Sequence, residues 1–100
     1  MLKKIFGLTE TVLSPDDLEN GTIIDVRTAA EFRSGHVVAS INIPLQELDR
    51  SLLKLRQMKS PIIACCASGN RSGMAVRKLN SLEIKSINGG SWQNVDRQVS

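Results

Sequence analysis

Four short apolar runs separated by stretches with helical signals constrain this chain more than any other feature of its sequence. Thr22-Ile23-Ile24-Asp25-Val26, Val37 to Ile43, Ile62-Ile63-Ala64-Cys65 and Ile84 to Ile87 are each too short for a helix of their own and rich in β-branched residues, so each reads as a strand. The segments between them carry helix punctuation. Ser14-Pro15-Asp16-Asp17 supplies an N-cap, a proline for the first helical position and acidic residues for the positive helix end. Thr28 and Glu31, three apart, form a capping box, and Gly35 ends that helix. Leu45, Leu48, Leu52, Leu53 and Leu55 recur at helical spacing until Lys59-Ser60-Pro61, as do Met74, Ala75, Val76, Leu79 and Leu82. Strands alternating with helices imply an open, mostly parallel sheet covered on both faces.

At 100 residues the chain is one small domain. Only Phe6, Phe32 and Trp92 are aromatic, so the core is built from Ile, Val and Leu, which suits buried parallel strands. The formal charge of +3 is spread thinly, with Lys3-Lys4 the one adjacent basic pair. That argues against nucleic-acid binding and is compatible with a small anionic substrate. No run reaches the roughly 20 apolar residues of a membrane span, and the start is too short in apolar residues for a secretory signal. Cys65 and Cys66 are neighbours and cannot staple distant segments. A reducing, cytoplasmic setting is therefore expected, as is a monomer with no membrane partner.

In an open parallel sheet, ligands sit beyond the carboxyl ends of the strands, which points to the turns after Val26 and after Cys65. The second carries chemistry. Ala67, Ser68 and Gly69 are small enough for the backbone to curl, so that successive N–H groups converge on one spot at a helix start and hold a negative charge. A cysteine sulfur placed there loses its proton more readily and becomes a nucleophile. Arg71 and the Ser72 hydroxyl can add donors at the rim. Two adjacent cysteines and one distant histidine do not supply four zinc ligands at usable spacing, and nothing in this chemistry calls for a cofactor.

The segment Pro61-Ile62-Ile63-Ala64-Cys65-Cys66-Ala67-Ser68-Gly69-Asn70-Arg71-Ser72 resembles the rhodanese active site, an apolar strand followed by Cys-x-Ser-Gly-x-Arg-Ser. The resemblance extends to Ile24-Asp25-Val26-Arg27 with Glu31-Phe32, and to Gly35-His36-Val37 with Asn42-Ile43-Pro44. Asn88-Gly89-Gly90 followed by Trp92 is similar to the family's closing segment, with a shorter spacing to the tryptophan. It implies a three-layer α/β domain over residues 14–100, with a five-stranded, mostly parallel sheet and helices on both faces. Residues 1–13 would add an arm or an edge strand. It also implies a sulfurtransferase. A catalytic Cys66 thiolate would take the outer sulfur of thiosulfate or a persulfide donor, and would pass it to a thiol, cyanide or protein acceptor. Ala67, Ser68, Gly69, Asn70, Arg71 and Ser72 would bind the substrate, with Asp25 and Arg27 in support.

Which cysteine reacts decides the chemistry. Counted from Cys65 the chain reads Cys-x5-Arg, the spacing of thiol phosphatases; counted from Cys66, the loop has the shorter rhodanese form. Strand register favours Cys66, because the apolar run ends at Cys65 and the place of the phosphatase histidine holds Ala64. Cys65 is then a packed strand residue. Two other readings stand beside sulfur transfer: a non-catalytic rhodanese-like docking module, and a phosphatase or arsenate reductase using Cys65. Asp25 either organises the site mouth or caps its turn. Arg27 is expected to pair with Glu31, Arg71 to contact substrate, His36 to hold a strand-leading turn, and Trp92 to pack the closing turn.

Overall fold

The computed structural model describes residues 11–100. In chain order the elements are α1 (Pro15–Asn20), β1 (Thr22–Asp25), α2 (Ala29–Arg33), β2 (Ile41–Asn42), two 3-10 turns (Leu45–Glu47 and Asp49–Ser51), α3 (Leu52–Arg56), β3 (Ile62–Cys66), α4 (Asn70–Ser81), β4 (Ser86–Ser91) and α5 (Trp92–Val99). Both expected caps form. The Ser14 hydroxyl accepts from the Asp17 amide at the start of α1. Thr28 and Glu31 satisfy each other's backbone N–H groups at the start of α2.

The strands lie in the order β2-β1-β3-β4, all parallel. β3 is central and buried along its whole length, as the run Ile62-Ile63-Ala64-Cys65-Cys66 requires. Its residues alternate between two cores because side chains alternate across a strand. Ile62, Ala64 and Cys66 face Leu55, Ala75 and Leu79 from α3 and α4. Ile63 and Cys65 face Leu13, Val37 and Val95, with Leu18 of α1 and Trp92 at the edge. A one-residue slip of β3 would exchange the two sets and turn Cys66 away from α4.

The structure departs from sequence expectation in the strand count, in the leucine-rich stretch and at the last strand. Among the described residues the sheet has four strands, not five. The expected arm or edge strand falls mostly outside the described residues; Thr11 to Leu13 are in no strand and are held to α5 through Asn94 and Gln98. The leucine-rich stretch after Pro44 makes two 3-10 turns and a short helix rather than one helix, since leucines three and four apart serve either form. The last strand does not end at Ile87 but runs on through Asn88, Gly89 and Gly90, which lie inside β4. A bulge there sets Ala64 opposite Asn88 and Cys65 opposite Gly90, leaving Gly89 unpaired. Gly90 has φ +85°, a conformation glycine adopts without penalty.

Candidate active site

Cys66 is the last residue of β3, and α4 begins four residues later. The N-cap of α4 is Gly69, at φ +99°, which has no side chain to cap the helix. The free N–H groups of a first turn need an acceptor. Here the Cys66 sulfur supplies it: the Gly69 amide donates to Sγ at 3.0 Å and the Ser72 amide at 3.4 Å. The Ser72 Oγ lies 3.3 Å from the same sulfur. The nucleophile candidate is therefore also the helix cap.

This geometry controls ionisation. Burial opposes a charge on Cys66, but the Ser72 hydroxyl and the backbone N–H groups of Ser72, Ser68 and Gly69 outweigh it, and the thiol falls below its ordinary value. Cys65 behaves in the opposite way. Burial pushes its thiol up to about 12, and the Asp25 carboxylate adds to the rise against the opposing effect of Arg27. Adjacent residues thus face different cores, and their thiols shift in opposite directions.

The rest of the predicted site divides. Ala67, Ser68 and Asn70 are exposed around the cradle, and Ser72 is buried beneath it. Asp25 and Arg27 pair with each other, not with the cradle. The Asp25 carboxylate, fully buried, accepts from the Arg27 amide at 3.0 Å, from Nε at 2.9 and 3.1 Å, and from Nη2 at 2.8 Å. Arg27 also donates to the Gly35 carbonyl at 2.6 Å and lies 5.1 Å from the Trp92 ring centroid. The expected Arg27–Glu31 pair does not form, because Arg27 precedes the Thr28 N-cap and stands off the helix. Glu31 instead grips Arg71 through two bonds of 2.7 and 3.0 Å. These bonds, with the Thr28 contacts, hold the Glu31 carboxyl at about 2. Arg71 is thereby fixed beside the loop. His36 accepts the structural reading: its Nδ1 bonds the Phe32 carbonyl and its ring stacks on Phe32 at 3.7 Å. Trp92 begins α5 under Gly35.

One site neighbour was not anticipated. Asn88, at the β4 bulge, accepts from Ser72 Oγ at 2.7 Å and donates to the Gly69 carbonyl at 3.1 Å. Its only signal in the sequence was its place before the Gly-Gly pair.

An open α/β domain that seats a cysteine sulfur in a backbone anion cradle, at the end of a central parallel strand, defines a small class of cysteine-bearing domains. The Rhodanese-like domain family matches residues 10–94, and the chain belongs to that family. It is 38% identical over 71 residues to YqhL, an uncharacterized protein of Bacillus subtilis, across 68% of this chain and 56% of that protein. It is 40% identical over 65 residues to adenylyltransferase and sulfurtransferase MOCS3-1 of Drosophila pseudoobscura pseudoobscura, across 59% of this chain and 14% of that one. The chain spans little more than half the length of the first of these relatives and far less of the second. The crystal structure of a rhodanese-related protein from Thermoplasma volcanium superposes with a TM-score of 0.66 at 33% identity, covering 82% of this chain and 83% of that one. Among the described residues, no helix is long and apolar enough to cross a membrane.

Proposed function

We propose that this chain is a sulfurtransferase that carries a sulfane sulfur as a Cys66 persulfide. The observation that carries the reading is the cap: Cys66 Sγ receives the Gly69 and Ser72 amides at 3.0 and 3.4 Å. Membership of the rhodanese-like family, and likeness to a protein named as a sulfurtransferase, point the same way.

In the first half-reaction the Cys66 thiolate attacks the outer sulfur of a donor such as thiosulfate. A sulfur–sulfur bond forms, the bond to the sulfonate sulfur breaks, and sulfite leaves with the electron pair. In the second, an acceptor thiolate or cyanide attacks the outer sulfur of the persulfide. The Cys66 thiolate is released and the cycle closes without net redox change. Thiolate and persulfide are both anionic, so one set of fixed N–H donors serves both steps.

A phosphatase or arsenate reductase would need Cys65 as nucleophile, and a thiol raised to about 12 in a closed apolar cluster is poorly suited to that task. A pure docking module could use the sulfur as a cap but would have no need of a thiol lowered by its surroundings. The test is incubation with thiosulfate followed by intact-mass measurement. One added sulfur, removed by cyanide or a thiol, supports the proposal. No adduct from thiosulfate or from a persulfide donor would favour docking.

A further inference from the structure

Ser72 Oγ has one proton and two claimants for it: the Cys66 sulfur at 3.3 Å and Asn88 Oδ1 at 2.7 Å. The orientation of the Asn88 amide is fixed by partners whose roles cannot be reversed. Oδ1 faces the Gly90 amide, a donor, at 3.0 Å, and Nδ2 faces the Gly69 carbonyl, an acceptor, at 3.1 Å. We propose that Asn88 is a positioning residue that acts through Ser72, setting where the Ser72 proton goes as Cys66 changes charge. This rests on Cys66 being the reactive cysteine.

The two states follow from counting protons. With a neutral thiol, the Cys66 S–H donates to Ser72 Oγ, and Ser72 donates to Asn88 Oδ1. When the thiol ionises, the Ser72 hydroxyl rotates and donates to the thiolate. Asn88 Oδ1 is not orphaned by this loss, because the Gly90 amide still donates to it. The bulge makes this possible, since it is the shift of register at Gly89 that brings the Gly90 amide to the Asn88 side chain. Meanwhile Nδ2 holds the Gly69 carbonyl, so the loop keeps its shape while the hydroxyl turns. The Gly69 carbonyl also accepts from the Gly73 amide at 2.9 Å, tying the same point to α4. Asn88 thus clamps the loop with one atom and yields a proton with the other.

Asn88→Asp tests the idea. A carboxylate holds the Ser72 proton more tightly than an amide and leaves the thiolate without that donor. The readout is the pH dependence of Cys66 alkylation by iodoacetamide, with the modified residue mapped by peptide mass. Asn88→Asp is expected to raise the midpoint by about one unit, slowing alkylation below the midpoint about tenfold. In a Ser72→Ala background, where no hydroxyl connects the two residues, the same substitution should slow it by no more than about threefold. Equal slowing in both backgrounds would reduce Asn88→Asp to a through-space charge or to loss of the Nδ2 bond to the Gly69 carbonyl and overturn the proposal, as would no slowing at all. A second readout avoids dependence on folded variants. In the unaltered protein, the Gly90 amide and Asn88 side-chain nitrogen resonances should titrate with the Cys66 midpoint; resonances that stay still refute the relay. Alkylation mapped to Cys65 would overturn the Cys66 reading as well. The expected coupling in a protein that takes no sulfur from any donor would instead overturn only the proposed sulfur transfer.

Discussion

Asp25→Asn should destabilise the domain by about 3 kcal/mol, at the lower end of the range for breaking a buried ion pair. The figure comes from what the substitution leaves behind. Arg27 is 4% exposed and Asp25 is fully buried, so water cannot replace the lost carboxylate. An amide can keep the bond from the Arg27 backbone and one guanidinium contact. It cannot supply the charge that balances the three contacts from Nε and Nη2. The Gly35 carbonyl and the Trp92 face soften the loss, which is why the low end applies. With a urea slope of roughly 1.5–3 kcal/mol/M, the midpoint should fall by about 1–2 M. Equilibrium unfolding followed by circular dichroism measures it. Alkylation of Cys66 in the folded variant should keep its pH midpoint, because Asp25 bonds Arg27 and not the cradle. A midpoint loss below about 0.5 M would refute the argument that this pair anchors the turn after β1. A displaced Cys66 profile would instead return Asp25 to the active site.

Three further outcomes follow from the geometry. Carboxyl-carbon NMR should place Glu31 at about 2, moving back toward 4.5 in Arg71→Met. Because the folded value lies below the ordinary one, the pair's small, exposed contribution is present above about pH 4.5 and is lost as pH falls toward 2. Cys65 should resist alkylation in the native protein up to high pH and react only on unfolding, given its burial and its thiol at about 12. Gly89→Ala should cost about 1–3 kcal/mol in urea unfolding, since an added Cβ would meet Val95 Cγ2 at 2.7 Å and Ile63 Cγ2 at 3.1 Å.

The strands that bury themselves were the easiest part to read. Ile62 to Cys65 is apolar throughout, and a central parallel strand has no polar face to show. The two N-caps were legible because capping is local chemistry between residues three apart. The site was legible where it is made of consecutive residues, from Cys66 to Ser72. It was not where it depends on register. Asn88 reaches Ser72 only because β4 continues through Gly89 and Gly90 with a bulge, and glycines carry no strand signal. Arg27 and Glu31 sit at a spacing that pairs side chains on a helix, yet the helix begins between them. The spacing rule did not apply, and each residue found its partner elsewhere: Asp25 across a turn, and Arg71 across the site.

The central claim is that Cys66, the sulfur that caps α4, carries the transferred atom. Mass measurement of Cys66→Ser and Cys65→Ser proteins after exposure to thiosulfate tests it most directly. The account predicts one added sulfur on Cys65→Ser, labile to cyanide, and none on Cys66→Ser. Sulfur retained by Cys66→Ser and lost from Cys65→Ser would contradict it.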